Sequence, residues 1–330
     1  MNKNVNIFKI DDNSLQNARN YVLHNQLVAF PTETVYGLGA NALSDEAIRQ
    51  VYLAKGRPLD NPIIVHLPKE ADVSKYVYDD KPYVKKIREA FLPGPLTLVY
   101  KSKGVVSSLV SCGLDTLAIR VPSSEEAQKF LSYVGVPIAA PSANISKHTS
   151  PVTAEHVFGD FGFNIPMILD GGRCQGGIES TVLDVTTDMP IILRKGLITA
   201  EMIKAVVGRC EYAASTSELS KRSPGTKYRH YCPNTSTMLF DLGQIDKLKD
   251  TYNELKQSGK NPLIMCVNDI AETLQGYNVY NLGKTGEQMA ARLYFGLHEA
   301  ERYDILIGVK FEIKDEVMLS VENRFLKAFG

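Results

Sequence analysis

Apolar and polar residues alternate along the first two thirds of the chain in short blocks that predict buried strands separated by amphipathic helices. Apolar runs predict strands at 27–30, 63–65, 96–100, 115–122, 136–140, 167–170, 180–185 and 191–196. Helices are predicted from a cap at Asn13-Ser14 to about His24, from Ser44 to near Ala54, up to Phe91, after Ser123-Ser124, and from Val152 to Phe158. Prolines mark many strand ends, so we expect an α/β domain with a mixed, twisted sheet over residues 1–206.

The pattern changes after this domain and then restarts. From about Val207 to Lys221 the composition turns small and polar, and residues 207–234 are predicted to form an interdomain linker. Beyond them, strands are predicted at 238–240, 262–267 and 305–309, and helices at 246–257, 286–302 and 317–329. Alternating strands and helices of this length predict a smaller, Rossmann-like parallel α/β domain over residues 235–330.

Composition narrows the classes of function. The 330 residues carry 37 Lys and Arg against 37 Asp and Glu, so there is no basic excess to neutralise the phosphates of a nucleic acid in bulk. The five cysteines include no C-x-x-C pair, which disfavours a zinc site and a disulfide framework and suits a reducing compartment. Neither a signal-like apolar segment at the N-terminus nor an apolar run of membrane-spanning length is present. We expect a cytoplasmic protein with no membrane partner.

A short basic turn is the strongest local signal of chemistry. Lys55-Gly56-Arg57-Pro58 places two cations two residues apart on a turn that glycine and proline stiffen, and an apolar strand ending at His66 follows. Guanidinium and ammonium groups on a rigid turn suit a polyphosphate ligand. A solvated basic turn beside an edge strand is an equally good interpretation of these residues alone.

Polar side chains also recur at strand ends and on the loops beyond them, where a sheet holds functional groups in place. They are Thr34, Arg57, Asn61, His66, Arg120, Ser142, Asn144, Ser180 and Arg194. Each has an ordinary structural explanation: turn hydroxyls for Thr34 and Ser180, sheet-end ion pairs for the arginines, and a satisfied half-buried histidine for His66. Their repetition, with cations, hydroxyls and amides but no nucleophilic triad, favours a site that holds a phosphorylated ligand and aligns two reactants.

Two further motifs are rejected by their context. Gly37-Leu38-Gly39-Ala40-Asn41-Ala42 matches the dinucleotide fingerprint, but the next helix signal comes only at Ser44. Gly283-Lys284-Thr285 lacks the earlier glycine of a phosphate-binding P-loop, since Asn278 stands there.

Five motifs in order carry a family resemblance. They are Phe30-Pro31-Thr32-Glu33-Thr34-Val35-Tyr36-Gly37-Leu38, Lys55-Gly56-Arg57-Pro58, Pro141-Ser142-Ala143-Asn144, Gly177-Ile178-Glu179-Ser180-Thr181-Val182 and Arg194-Lys195-Gly196. Together they resemble the YrdC-like threonylcarbamoyl-AMP synthases. The segment Ser223-Pro224-Gly225-Thr226-Lys227-Tyr228-Arg229-His230-Tyr231-Cys232-Pro233 and the domain after it resemble the longer, two-domain branch, with Thr226 where that branch is expected to have methionine.

The resemblance implies a nucleotidyltransferase. Threonine takes up CO₂ from bicarbonate, the carbamate attacks the α-phosphate of ATP, and threonylcarbamoyl-AMP and pyrophosphate leave. The product would feed modification of adenosine at tRNA position 37, with a threonylcarbamoyl transferase as the possible next partner. Mg²⁺ would accompany ATP and take its ligands from water and phosphate, with none from protein side chains.

The resemblance also implies roles for particular residues. Lys55, Arg57, Ser142 and Asn144 match the catalytic K-x-R…S-x-N signature. The residues matching threonine contacts are Thr34, His66, Arg120, Ala140 through its backbone, and Ser180. The residues matching ATP contacts are Arg57, Asn61, Thr116, Ser142, Ser150, Arg194, Arg229 and His230. From the residues themselves, Arg120 suits a carboxylate, Thr34 and His66 suit a hydroxyl, and the charged linker suits a lid that excludes water.

Three other functions remain open at this point. A platform for tRNA or double-stranded RNA without turnover fits the family's endpoint but not the neutral charge, and direct tRNA binding is left open. A carbamoyltransferase that uses carbamoyl phosphate would be expected to carry zinc-finger segments, which the cysteine spacing does not provide. A regulator that binds an amino acid and a nucleotide without turnover is the third.

Overall fold

The computed structural model describes residues 6–214 and 233–330. These residues form two compact units. The larger contains residues 6–146 and 150–214, and the smaller contains residues 233–330 and is grouped with 147–149. The motif residues Thr226, Lys227, Arg229 and His230 lie outside the described residues. The lid and the domain boundaries therefore stay predictions.

The first unit is built on a mixed sheet that has twelve strands within the described residues. The strands are β1 (Ile7–Lys9), β2 (Val28–Phe30), β3 (Gly37–Asn41), β4 (Val65–His66), β5 (Val77–Tyr78), β6 (Leu96–Ser102), β7 (Thr116–Arg120), β8 (Ile138–Ala139), β9 (Met167–Asp170), β10 (Thr181–Asp184), β11 (Ile191–Arg194) and β12 (Glu211–Tyr212). Their order across the sheet is β1-β9-β2-β3-β8-β4-β7-β6-β10-β11-β12, with β5 paired to β6 off this path. The predicted mixed α/β sheet is confirmed.

Helices and one short 3₁₀ turn, Val73–Lys75, connect these strands. The helices are α1 (Asp12–Leu23), α2 (Asp45–Lys55), α3 (Pro82–Phe91), α4 (Ser108–Ser111), α5 (Glu125–Val134), α6 (Ala154–Phe161) and α7 (Ala200–Val207). A buried cluster packs α1 and α5 against β2, β8 and β9, with the rings of Phe30 and Phe130 4.8 Å apart at its centre. This core fixes the end of β2, from which one of the candidate loops begins.

The cap of α1 differs from the prediction. Asp11 is the cap rather than Asn13-Ser14, because its carboxylate accepts the amide of Ser14 at 2.7 Å. The Ser14 hydroxyl accepts the amide of Asp11 in return at 2.9 Å. This reciprocal pair is a capping box, and the helix therefore begins two residues nearer the N-terminus than predicted.

The end of α2 places the basic turn. Gly56 adopts a left-handed conformation with φ of 57°, which stops the helix directly after Lys55. Lys55 is thus the last helical residue and is buried, whereas the sequence pattern placed it beyond the helix end. The following strand also begins later than predicted, since β4 comprises Val65 and His66 only.

The strand β3 was not predicted. The glycine-rich stretch forms a strand that pairs antiparallel with β2, with Ala29 opposite Leu38. A Cβ on Gly37 would lie 3.1 Å from the ring of Phe30 and 3.3 Å from the Cβ of Ala140, so the position favours glycine for packing. The glycines that match the dinucleotide fingerprint therefore allow β3 to pack closely against the ring of Phe30, which agrees with the rejection of that motif.

Regular structure of the first sheet continues past residue 206. The helix α7 runs to Val207, and β12 pairs parallel to β11 with Ile192 opposite Tyr212. The first sheet thus includes residues that the sequence pattern assigned to the linker.

The second unit is a parallel sheet of four strands in the described part of the chain, as predicted for a small Rossmann-like domain. Its elements are β13 (Ser236–Phe240), α8 (Ile245–Gln257), β14 (Pro262–Cys266), α9 (Asn268–Ala271), β15 (Val279–Asn281), α10 (Gly286–Ala300), β16 (Ile305–Val309) and α11 (Glu316–Phe329), with a 3₁₀ turn at Leu242–Gln244. The strand order is β13-β16-β14-β15. Among the helices described in either unit, none is long and apolar enough to cross a membrane.

Candidate active site

The register of the first sheet brings predicted site residues from distant strands into one row. Arg120 on β7 lies opposite His66 on β4 and opposite Thr97 on β6. Thr97 in turn lies opposite Val182 on β10, and Val182 lies opposite Arg194 on β11. Directly paired residues point to the same face of a sheet, so His66, Arg120, Thr97 and Arg194 share one face.

Ser180 joins this row through side-chain contacts. It precedes β10, and its hydroxyl lies 2.8 Å from the hydroxyl of Thr97. The guanidinium of Arg194 donates to the carbonyl of Ser180 from Nε at 3.1 Å and from Nη2 at 3.0 Å. Nη2 also lies 3.2 Å from the Ser180 hydroxyl. Two predicted site residues, Ser180 and Arg194, are therefore held in direct contact.

Arg120 is buried and carries a charge partner that the sequence argument did not assign. Its Nη1 donates to the hydroxyl of Thr34 at 2.8 Å, and its Nη2 lies 2.8 Å from Oε1 of Glu33. The side chain of Arg120 is 4% exposed and that of Glu33 14% exposed. The hydroxyls of Thr32 and Thr34 lie 2.9 Å apart beside this pair. The site thus contains one buried charge of each sign, whereas the sequence argument used only the cation.

His66 is neutral in this setting. It is buried, its ring centre lies 5.8 Å from that of Phe30 in a T-shaped arrangement, and it is paired with Arg120 across the sheet. Burial first, and then the nearby positive charge of Arg120, lower the pKa of His66 to about 3. At neutral pH the imidazole can therefore donate or accept a hydrogen bond to a ligand but adds no charge.

Several buried polar atoms of this cluster have no hydrogen-bond partner within the described residues. They are both carboxylate oxygens of Glu33, Nε and Nη2 of Arg120, and Nδ1 of His66. Arg120 Nη2 is close enough to Glu33 for an ion pair but is not aligned as a hydrogen bond. Buried polar groups are normally satisfied, so this concentration marks a ligand position. The amide of Ala140 is already bonded to the carbonyl of Ile64 at 2.9 Å, so a ligand contact at Ala140 would use its carbonyl oxygen.

Lys55 holds the loop that carries Ser142 and Asn144. Its ammonium group donates to the backbone carbonyl of Ser142 at 2.5 Å and to that of Asn144. Burial, and then the charge of Arg57, lower the pKa of Lys55 well below its ordinary value. Within the loop, the Ser142 hydroxyl donates to the side-chain oxygen of Asn144 at 2.5 Å. Three residues of the K-x-R…S-x-N signature, Lys55, Ser142 and Asn144, are therefore connected by hydrogen bonds, and Arg57 follows Lys55 two residues later.

Arg57 and Arg194 place two cations near one another. Arg57 donates from Nε to the carbonyl of Asn61 at 3.1 Å and from Nη2 to that of Pro62 at 2.8 Å. Burial is the main cause that lowers the pKa of Arg57 to about 10, and the positive charge of Arg194 lowers it further. Two guanidinium groups at one place suit a polyphosphate ligand.

Comparison with known proteins places the chain. The family model described as "Telomere recombination", for Sua5, YciO and YrdC proteins, matches residues 20–196. The model described as "Threonylcarbamoyl-AMP synthase, C-terminal domain" matches residues 198–330. The chain belongs to the two-domain threonylcarbamoyl-AMP synthase family. Members of this family are enzymes of the nucleotidyltransferase type.

Relatives cover nearly the whole chain. The threonylcarbamoyl-AMP synthase of Pyrococcus abyssi is 37% identical over 98% of this chain and 96% of its own length. That of Bacillus subtilis is 37% identical over 97% of this chain and 94% of its own length. The crystal structure of P. abyssi Sua5 complexed with L-threonine superposes with a TM-score of 0.87 at 36% identity, covering 98% of this chain and 97% of that one. Escherichia coli YciO shares the fold over 60% of this chain and 98% of its own, with a TM-score of 0.54 at 20% identity.

The synthase resemblance assigns four other residues to ATP: Thr116, Ser150, Arg229 and His230. Thr116 is buried at the start of β7, four residues before Arg120, which is roughly 13 Å along a strand. Ser150 is buried and donates to Oε1 of Glu179 at 2.8 Å. Arg229 and His230 lie outside the described residues. The ATP roles predicted for all of these residues stay predictions.

Sequence reasoning missed two residues of the site. Glu33 stands inside a quoted motif, but an acidic residue after a proline turn also suits a solvated loop, so the pattern alone carried no signal for burial. Thr97 was read only as part of a strand. Its place in the row follows from the pairing of β6 with both β7 and β10, which no local pattern contains.

Proposed function

We propose that this enzyme makes L-threonylcarbamoyl-AMP and pyrophosphate from L-threonine, bicarbonate and ATP, and that the product serves formation of N6-threonylcarbamoyladenosine at tRNA position 37. The observation that carries the proposal is the adjacency of two kinds of group on one sheet. A buried set of one cation, one anion, a hydroxyl and a neutral imidazole matches a hydroxylated amino acid. It is made by Arg120, Glu33, Thr34 and His66.

The second kind of group is a cationic set beside the row. Ser180 connects the two, since it contacts Thr97 in the row and Arg194 in the cationic pair. In the proposed step, a carbamate oxygen of the substrate forms a bond to the α-phosphorus of ATP. The bond from that phosphorus to the β-bridging oxygen breaks, and pyrophosphate leaves with the electron pair. Arg57 and Arg194 would stabilise the charge that develops on the phosphate oxygens, as positioning and electrostatics dominate this class of reaction.

Lys55 would act in this reaction through the loop. Its two bonds to backbone carbonyls fix Ser142 and Asn144 opposite the basic turn. Mg²⁺ would enter with ATP and reduce the negative charge of the triphosphate. Phosphate oxygens and water would supply most of its ligands, as is usual for Mg²⁺ bound with a nucleotide.

The proposal extends to partners. The mixed anhydride made here is a reactive acyl donor, so a threonylcarbamoyl transferase acting on tRNA is the proposed consumer. Direct binding of tRNA to this chain is a separate question, and the equal numbers of acidic and basic residues do not favour it. A tRNA-binding module without turnover is the alternative that the test below must exclude.

The test is pyrophosphate release by the full chain with ATP, Mg²⁺ and bicarbonate and each amino acid in turn. Release that requires both threonine and bicarbonate, with threonylcarbamoyl-AMP detected by mass spectrometry, is the expected result. Arg57→Ala should reduce the rate at subsaturating ATP about 10- to 100-fold, the range of one to two charge-assisted hydrogen bonds. Arg302→Ala is the matched control, because that side chain is 75% exposed and pairs only with Glu299 within the described part of the chain.

Other outcomes would contradict the proposal. Release without bicarbonate would indicate aminoacyl adenylation instead. No release with any amino acid, together with salt-dependent binding of tRNA in a gel-shift assay, would favour the binding module.

A further inference from the structure

We propose that Glu33 binds the amine of the amino-acid substrate and accepts a proton from it, so that the amine becomes the nucleophile for CO₂. The inference rests on the proposed function, because it assigns a role within that reaction. It concerns a residue for which the sequence analysis predicted no role.

The position of Glu33 is fixed by its backbone. Its carbonyl accepts the amide of Gly176 at 2.6 Å, and a Cβ on Gly176 would come within 2.9 Å of that carbonyl oxygen. The backbone of the loop after β2 is therefore held against a second loop at Glu33, and this places the Cα from which the carboxylate extends. The side chain is 14% exposed and lies beside Arg120.

The carboxylate has acceptor capacity that the protein does not use. An ionised carboxylate offers about four lone-pair positions. Neither oxygen of Glu33 has a hydrogen-bond partner in the residues that the structure describes, although Nη2 of Arg120 lies 2.8 Å from Oε1. A pair that served only stability would be expected to align its donors, since burial of two charges is repaid only by good geometry. A ligand that donates hydrogen bonds would satisfy this carboxylate.

An amino acid has the complementary charges. At neutral pH it carries one carboxylate and one ammonium group, and the site presents one guanidinium and one carboxylate with the neutral His66 beside them. The ammonium group has three donors and matches the acceptor atoms of Glu33. The substrate carboxylate requires donors, which Arg120 and His66 can provide. The bound complex would have no net charge, which limits the cost of burying it.

The same carboxylate would also act as the base that removes a proton from the substrate ammonium group. An ammonium nitrogen has no lone pair and cannot attack CO₂. Transfer of one proton from the nitrogen to Glu33 frees the lone pair, which forms the bond to the carbon of CO₂ while one C–O π pair moves to oxygen. The second proton leaves the nitrogen to water, and the carbamate results. CO₂ forms from bicarbonate, one of the proposed substrates, when hydroxide leaves and takes up one of the two released protons to become water.

The groups that face Glu33 do not offer another base. Arg120 on β7 is a cation, and His66 on β4 has a pKa of about 3 and is a weak base. The thiol of Cys174 also approaches this position, but burial raises its pKa to about 12, so it stays protonated. Among the described groups at this place, Glu33 is the one with a free acceptor and a negative charge.

The test compares two ligands on the full chain by isothermal titration calorimetry. L-Threonine and 3-hydroxybutanoate differ only in the amine. The wild type should prefer threonine about 10- to 100-fold, the range expected for a hydrogen-bonded charge pair in a buried site. In Glu33→Gln this preference should fall to within about threefold. Binding of 3-hydroxybutanoate should be no weaker, because Gln removes the negative charge that competes with the ligand carboxylate for Arg120. Glu89→Gln, whose carboxylate is 65% exposed, is the matched control and should keep the wild-type preference.

A second measurement addresses the proton. The rate of threonine-dependent pyrophosphate release in Glu33→Gln should be lowest at pH 7 and should approach the wild-type rate as the pH rises and free amine becomes abundant. Glu33→Asp retains the charge and should lie between the two. If Glu33→Gln does not fold, as judged by thermal unfolding, Glu33→Asp carries the comparison.

The outcomes separate the two proposals. A wild type that binds threonine while Glu33→Gln retains the full preference would overturn the role of Glu33 and leave the proposed function standing. Equal weakening of both ligands would mean that Glu33 only supports Arg120, and would overturn it as well. A wild type that does not bind threonine would refute the proposed function, and the role of Glu33 with it.

Discussion

Acidification from pH 7 to pH 5 should destabilise the first unit through His66. The folded state holds this imidazole neutral, because burial and Arg120 lower its pKa from 6.5 to about 3. The unfolded chain protonates it near 6.5. The folded state therefore binds fewer protons between these values. The stability that His66 contributes is present in full above pH 6.5 and is lost as the pH falls toward 3.

The size of the effect follows from the two pKa values. One unit of pKa difference corresponds to about 1.4 kcal/mol. pH 5 is about 1.5 units below the pKa of His66 in the unfolded state. It is still about 2 units above the pKa of His66 in the folded state. The expected loss between pH 7 and pH 5 is therefore about 2 kcal/mol. That is a large part of the 5–15 kcal/mol that typically stabilises a domain.

Hydrogen exchange read by mass spectrometry provides the assay, because it reports on the first unit alone. The amide of Leu67, which donates to the carbonyl of Arg120 at 3.0 Å, lies next to the histidine. The opening free energy of peptides from β4 and β7 is compared at pH 7, 6 and 5 in the wild type and in His66→Asn. The variant has no titrating group at this position, so all other acid effects cancel in the difference between the two proteins.

Between pH 7 and pH 5, the opening free energy of these peptides should fall by about 2 kcal/mol more in the wild type than in His66→Asn. Equal losses in both proteins would refute the reasoning. They would mean that the imidazole takes up its proton in the folded state at an ordinary pH, and hence that it is not enclosed beside the guanidinium.

Two further substitutions test the supports of the site. Lys55→Met leaves two buried carbonyls without their donor and should destabilise the first unit by about 2–4 kcal/mol in urea unfolding, with loss of pyrophosphate release. The control is Lys85→Met, at a side chain that is 82% exposed, and it should change the free energy of unfolding by less than about 0.5 kcal/mol. Similar changes in the two variants would contradict the role of Lys55 as the anchor of the loop at Ser142 and Asn144. Gly196→Ala would place a Cβ 2.4 Å from the amide nitrogen of Thr181, so it should cost about 1–3 kcal/mol and weaken threonine binding in calorimetry. The control is Gly159→Ala, in α6 with open space around it, which should raise the free energy of unfolding by about 0.5–1 kcal/mol. Equal effects of the two glycine substitutions would show that the contact at Gly196 is not tight.

Local patterns were sufficient for most elements of this fold. Apolar runs bounded by prolines located the strands that end at His66, Arg120 and Arg194, because β-branched residues and chain breakers act over a few residues. They failed at β3, where two glycines reduce the apolar signal. Those glycines are explained by the Phe30 ring, which comes from another strand.

The sequence by itself determined which chemical groups the protein has at its strand ends and, through ordered motifs, the family to which it belongs. Tertiary structure decided how those groups combine. The row from His66 to Arg194 depends on the register of five strands, and Lys55 became an anchor because its ammonium group meets carbonyls 87 and 89 residues away. Glu33 acquired significance only when folding buried it beside Arg120. Burial and long-range pairing set the charge state and the partner of each group, and neither is encoded in a local pattern.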